Sequence, residues 1–228
     1  MNLVARVTMA ACCLLAPASA LAQPAPAFRP QRFTVSAGAL AFAGYRVGDV
    51  TASLRRNTLG NPSPFTLLEA QSDLTRAIGF DGRLGFALTR TVAIEVGAAY
   101  AQPELGVTIA RDPEATGEAF ASERIQQYVV DVSGIFQLPV AMGRRTRPYV
   151  IAGGGYLRQL HEGRLLAQTG QTLHLGGGLH YWFGGSTSAR RPFGGRAEVR
   201  YVLRRGGVEF EDRSRGYPAL SVLAFVGL

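Results

Sequence analysis

Apolar side chains recur at every second position in eight separate windows of the chain, and no stretch of comparable length repeats at the helical spacing of 3.6. In Thr75–Leu88 one face carries Arg76, Ile78, Phe80, Leu84, Phe86 and Leu88, and the other carries Ala77, Gly79, Asp81, Arg83, Gly85 and Ala87. Thr91–Ala101 sets Val92, Ile94, Val96, Ala98 and Tyr100 against Ala93, Glu95, Gly97 and Ala99. Gln127–Leu138 sets Tyr128, Val130, Val132, Phe136 and Leu138 against Val129, Asp131, Ser133 and Gln137. The pattern returns in Thr172–Phe183, Arg196–Arg204 and Ala219–Leu228, where Leu175, Val199 and Val222 lie on greasy faces opposite His174, Glu198 and Ser221. Phe33–Tyr45 and Pro148–Leu160 alternate less cleanly, but both are bounded by turn residues and rich in Val, Ala and aromatics. Eight strands of period two are expected, each with one apolar face and one face of small or charged residues.

The connections differ in length. Tyr45–Leu74 and Gln102–Ser122 are long, whereas Leu88–Val92 is tight and Pro139–Arg147 is short. With an even number of strands the tightest turns fall on the side of the chain termini. The alternation Leu105-Val107-Ile109 suggests that the third strand runs on past the sheet into a protruding hairpin tipped near Asp112-Pro113.

Composition adds a leader and removes several functions. Met1–Arg6 carries one positive charge, Val7–Leu15 is apolar, and Ala20-Leu21-Ala22 precedes Gln23, the order of a secretory signal peptide. The expected organisation is a signal peptide over 1–22, a proline-rich periplasmic tether over 23–31 and a barrel over 32–228. Cleavage after Ala22 removes both cysteines, Cys12 and Cys13, so neither a disulfide nor a thiolate metal site is available to the mature chain. The formal charge of +8 comes entirely from 24 arginines against 16 acidic residues. With no lysine, a catalytic lysine is excluded and a mixed Lys/Arg nucleic-acid arm is absent, so nucleic acid is not an expected partner.

A water-soluble barrel turns its apolar face inward and a large, charged face outward. Here the non-greasy face is mostly Gly, Ala and Ser with a few charges, which suits the inside of a narrow cylinder. The apolar faces run long enough to cross a bilayer as tilted strands. Tyr45, Tyr100, Tyr128, Tyr149, Tyr181 and Phe183 fall near window ends, where interfacial girdles belong. The fold class expected is all-β, an eight-stranded antiparallel up-and-down transmembrane β-barrel. Through Pro148-Tyr149-Val150-Ile151-Ala152-Gly153-Gly154-Gly155-Tyr156 and the strand Ala219–Leu228, the chain resembles the small eight-stranded outer-membrane barrels of Gram-negative bacteria, the OmpA-type membrane domain and its relatives. The resemblance is one of architecture over residues 31–228. It implies an outer-membrane location, a monomer, contact with outer-membrane lipid and lipopolysaccharide, and insertion by the barrel-assembly machinery. Members commonly end in an aromatic residue, whereas this chain ends in Leu228.

Candidate chemistry is concentrated on the inner face, in Asp81, Arg83, Glu95, Asp131, Arg196, Glu198 and Arg200. The tight turn after Leu88 places Arg83 directly or diagonally opposite Glu95. Two roles follow: an ion constriction that gates a narrow pore, or a plug of salt bridges that fills the barrel. The plug is the better fit, because eight strands leave room for side chains rather than for a channel. His174 and His180 share a face but stand about 20 Å apart at ~3.3 Å per residue, too far to bind one metal. Lipid-A deacylases of this architecture place a serine beside a histidine on a lipid-facing strand. Neither Leu173-His174-Leu175-Gly176 nor His180-Tyr181-Trp182 supplies that serine, and there is no Gly-x-Ser-x-Gly elbow. The glycine triplets at Gly153 and Gly176 neither open a helix nor carry a lysine, so no cofactor is expected. Arginine clusters at Arg55-Arg56, Arg144-Arg145-Arg147, Arg190-Arg191 and Arg213/Arg215 lie in connections, where they meet lipid phosphates or water. The function expected is a non-enzymatic barrel with a structural or surface-interaction role, its long loops open to an extracellular ligand.

Overall fold

The computed structural model describes residues 32–54, 65–110, 119–140, 142, 145–162, 166–183, 192–208 and 214–228. The leader, the proline-rich tether and the expected hairpin tip at Asp112-Pro113 lie outside these residues, as do Arg55, Arg56, Arg144, Arg190, Arg191 and Arg213. The strands are β1 (Phe33–Phe42), β2 (Tyr45–Leu54), β3 (Phe65–Leu74), β4 (Ala77–Ala87), β5 (Val92–Ala101) and β6 (Glu104–Ala110). They continue with β7 (Ala119–Arg124), β8 (Gln126–Gln137), β9 (Thr146–Leu160), β10 (Ala167–Trp182), β11 (Phe193–Gly206) and β12 (Arg215–Gly227).

Eight of the strands close a barrel in the order β1-β12-β11-β10-β9-β8-β5-β4, with every described neighbour antiparallel. These are the eight windows of alternation. Closure joins the first strand to the last, Thr34 facing Gly227 and Phe42 facing Ala219, so both ends of the barrel chain lie at one rim. The sheet has no free edge, as a structure with no water to hydrogen-bond its backbone requires.

Alternation sorts the side chains by face. Ile78, Phe80 and Leu175 are 80%, 74% and 66% exposed, while Asp81, Arg83, Glu95, Asp131, Arg196, Glu198 and Arg200 are buried. The barrel is greasy outside and polar inside, the reverse of a water-soluble one, and is a transmembrane β-barrel. On β10 the outward run from Leu173 to Phe183 gives an apolar band about 25 Å tall at the usual strand rise and tilt. Aromatics edge this band. Near the termini Phe33 packs on Phe86 (5.1 Å between ring centroids), and Phe183 on Tyr181 and Phe193 (5.4 and 5.9 Å). Toward the other rim Tyr100 packs on Tyr128 at 4.9 Å, with exposed Tyr156 and Tyr201 at neighbouring positions. Val222 lies outward near mid-band, between Ala39 and Ala197 of the adjacent strands. Val222→Arg is expected to lower the unfolding free energy in lipid by about 2–4 kcal/mol. Urea titration in liposomes measures it, and a cost below about 0.5 kcal/mol would place this face in water.

Two expectations are corrected here. Tyr45–Leu74 is not a bare connection: it forms the hairpin β2–β3, which with β6 and β7 makes a separate four-stranded sheet in the order β2-β3-β6-β7. The third barrel strand does not run on unbroken either. It stops at Ala101, and after Gln102-Pro103 the chain restarts as β6, paired with β3 rather than with a barrel strand. Proline cannot donate to a ladder, so the break falls where the chain changes sheets.

The second sheet sits over the rim opposite the termini. An apolar cluster of Phe42, Val47, Leu74, Ala77, Ala101, Leu105, Ile125, Val208, Tyr217 and Ala219 joins it to the barrel, with Val47 and Ile125 fully buried. Tyr45 stacks on Tyr217 there (5.0 Å, 4° between planes), so it belongs to this junction and not to an interfacial girdle. Glu123 at the end of β7 accepts from the backbone of Glu162 (2.8 Å) and meets His161 Nδ1 (2.9 Å), tying the sheet to the β9–β10 turn.

Candidate functional site

The inner charges form one continuous network across the middle of the barrel. Arg196 is its hub. Its Nη1 donates to both oxygens of Glu95 (2.7 and 2.8 Å), its Nη2 to Glu198 Oε2 (2.5 Å), and its Nε to Tyr149 Oη (2.6 Å) and Glu198 Oε2 (3.1 Å). Tyr149 in turn donates to Glu198 Oε2 at 2.6 Å. A guanidinium has five N–H groups in a fixed plane, so one residue can serve two carboxylates and a phenol at once.

Arg83 forms a second node. It holds Asp81 on its own strand through Nη2 (2.5 Å) and Nε (3.1 Å to each oxygen), and Ser221 Oγ donates to the same carboxylate at 3.2 Å. In the register Glu95 faces Gly85 and Arg83 faces Gly97, so Arg83 and Glu95 are diagonal, with Nη1 to Oε2 at 3.8 Å. Arg200 bonds Glu198 through Nε and approaches Asp131 at 3.9 Å. All seven residues therefore meet, three arginines with four carboxylates.

Tyr149 is corrected from the interface to the lumen. It is 1% exposed, and its ring lies 4.9 Å from the Arg196 guanidinium carbon and 4.5 Å from the His180 ring. Room for it comes from Gly178 across the strand pair, where a Cβ would stand 2.4 Å from Tyr149 Oη and 2.4 Å from the Ala197 carbonyl oxygen. Alternating small and large residues is how a narrow barrel is filled.

Sequence reading also left Ser133 without a role, and only tertiary pairing supplies one. Ser133 Oγ donates to Asp131 Oδ1 (2.9 Å) and lies 2.9 Å from His174 Nε2, 41 positions away in the chain. The contact resembles part of a nucleophilic triad, but its order is different. In a triad the carboxylate holds the imidazole, whereas here Asp131 holds the serine. His180 is placed apart, 3.2 Å from Gln137 Nε2 through its Nδ1.

The network divides the interior. On the side of the termini is a cavity open to solvent and lined by Thr34, Glu95, Gln137, His180, Trp182 and Phe225 among others. On the other side a small cavity has Asp81, Arg83, Asp131, Thr172, His174 and Arg200 on its polar walls, with Leu40, Phe42, Val202 and Tyr217 toward the apolar junction. Arg83 Nη1, Arg200 Nη2 and Thr172 Oγ1 are buried beside it with no hydrogen-bond partner among the described residues. Groups of this kind take water.

Arg204, 1% exposed, forms a third node above this cavity. It donates to Gln159 Oε1 (2.8 Å), to the Gly206 carbonyl (3.1 Å) and to the Tyr45 hydroxyl. The chain turns there through Gly206 and Gly207, both at positive φ (82° and 91°), and a Cβ on Gly207 would stand 2.5 Å from Arg204 Nη2. Among the described residues no group of three or more His, Cys, Asp or Glu could hold a metal.

No family model and no curated protein matches the chain. Solved structures similar to it include the outer membrane protein OprG from Pseudomonas aeruginosa, at 10% identity over 87% of this chain and 94% of that one, with a TM-score of 0.47. The N-terminal β-barrel domain of Pseudomonas aeruginosa OprF is 13% identical over 86% and 99%, with a TM-score of 0.40. Ail, the attachment invasion locus protein of Yersinia pestis, is 14% identical over 86% and 99%, with a TM-score of 0.40.

Proposed function

We propose that this chain is a non-enzymatic outer-membrane barrel whose work is to hold its four-stranded sheet out from the cell surface, in a structural or surface-interaction role. The observation that carries this is the apolar junction fixing the β2-β3-β6-β7 sheet to the rim opposite the termini. In a barrel inserted with its termini in the periplasm, that rim faces outward. The lumen network then acts as filling that stiffens the support, and the bonding of Asp131 to Ser133 rather than to His174 is not the order of a hydrolytic triad. Cell fractionation with gel mobility before and after boiling tests the reading. An outer-membrane band that shifts on boiling is expected, and recovery in the soluble periplasm with no shift would overturn it.

A narrow gated pore is the second reading, favoured by the two cavities meeting the network from opposite sides. Planar-bilayer recording of the wild type and Glu95→Ala separates the two. The support reading expects no conductance from either, whereas discrete openings that Glu95→Ala enlarges would establish the pore.

A further inference from the structure

The cavity on the side of the termini has one wall of rings. Phe225 lies edge-on to both His180 and Trp182, at 5.3 and 5.6 Å between ring centroids. Ala87, Val92, Ile135 and Pro192 continue the apolar lining. Beside the rings Gln137 spends its amide nitrogen on His180 Nδ1 (3.2 Å), and its Oε1 is buried with no hydrogen-bond partner among the described residues. An apolar wall with a buried, unsatisfied acceptor next to it is what a short apolar peptide covers. The chain itself enters the barrel at the lip of this cavity. The Arg32 carbonyl accepts from Ala87 N (2.9 Å), and Thr34 is already on the cavity wall. Once the leader is cleaved after Ala22, residues 23–31 precede Arg32, with Pro24, Pro26 and Pro30, a single aromatic at Phe28 and a single charged side chain at Arg29. They lie outside the described residues.

We propose that residues 23–31 fold back over the rim and seat Phe28 against Trp182 and Phe225, so that the chain closes its own barrel on the side of the termini. The reach is sufficient. Ser36, Phe225, Gly194 and Trp182 form one row across β1, β12, β11 and β10, three interstrand steps or about 14 Å along the wall. Phe28 stands five residues before Phe33, about 15 Å in the extended form that prolines favour. Chemistry selects the same occupant. Proline-rich segments dock on aromatic-lined grooves because their extended form is set before binding and little entropy is lost. Proline has no N–H to leave unsatisfied in an apolar seat, while the N–H of Ala27 or Phe28 can donate to Gln137 Oε1. A tethered segment also acts at an effective concentration on the order of millimolar, so a weak contact suffices. Arg29 stays in the water at the mouth.

Both parts belong to one chain, so detergent micelles suffice for the test, and its failure would leave the outer-membrane reading untouched. Trp182 is the single tryptophan, and both cysteines leave with the leader, so one introduced cysteine carries a nitroxide at a unique place. In the folded mature chain, residues 23–228, a nitroxide on Ala27→Cys is expected to quench the Trp182 emission. The same label on Ser122→Cys, in the sheet over the opposite rim, is expected to leave it unchanged. Phe28→Ser beside the label at position 27 is expected to lower the seated fraction about tenfold and restore the emission, since the aromatic side chain no longer gains by burial. Gel mobility before and after boiling confirms that each variant is folded. No quenching from position 27 in the folded barrel, or equal quenching with Phe28→Ser, would overturn the proposal. So would quenching that fades on dilution, which would give the seat to the tether of a second copy.

Discussion

Arg196→Met is expected to destabilise the folded barrel by about 3–5 kcal/mol, the usual result of removing one partner from a buried ion pair. Arg196 is 2% exposed and supplies both hydrogen bonds that Glu95 makes to a cation, together with two of those to Glu198. Without it Glu95 keeps only the long approach of Arg83 at 3.8 Å, and Tyr149 loses the donor that orients it. The loss should be smaller when the stranded charge is also removed, so Arg196→Met with Glu95→Gln is expected to recover a part of the cost. Urea unfolding in detergent micelles measures both, with the chain's single tryptophan, Trp182, as the probe in the cavity beside the network. A cost below about 1 kcal/mol for the single variant would show that the network does not hold the barrel together.

The second large effect is steric. Gly178→Val is expected to cost at least about 3 kcal/mol, at or above the upper end of ordinary overpacking, and to leave much of the chain unfolded during refolding into micelles. A Cβ there would meet the Ala197 carbonyl as well as the Tyr149 hydroxyl, so Tyr149→Ala in the same chain should rescue only part of the loss. Backbone cannot step aside as a side chain can. Gly134→Val is the matched control: it lies on the exposed outer face, where the nearest atom to a Cβ is the Ala152 carbonyl at 3.9 Å. It is expected to fold like the wild type. If both variants refold equally, the lumen is not packed tightly enough for glycine to be required.

The inner face of the barrel was legible because a strand has a period of two. Once one residue of β4 or β11 is assigned outward, Asp81, Arg83, Arg196, Glu198 and Arg200 have nowhere to point but in. Tyr149 escaped this logic. It sits between Pro148 and the triplet Gly153-Gly154-Gly155, and glycines mark no face, so an aromatic near a strand end reads as a girdle residue. The β2–β3 hairpin escaped for a different reason. Its pairing shifts register between Arg46 and Gly48 and again between Ala52 and Ser53, and each shift reverses the alternation before a window can build.

The amino-acid sequence by itself determined the local quantities: the eight barrel strands, the face that most of their side chains take, and an apolar exterior around a charged interior. Which charges meet was decided only by closure. Glu95 and Arg196 are 101 positions apart, and their contact depends on the stagger with which the sheet joins β1 to β12, a property of all eight strands together. The same holds for the Ser133–His174 contact and for the sheet fixed over the far rim. Alternation is a rule about one strand, whereas a site inside a barrel is made by its circumference.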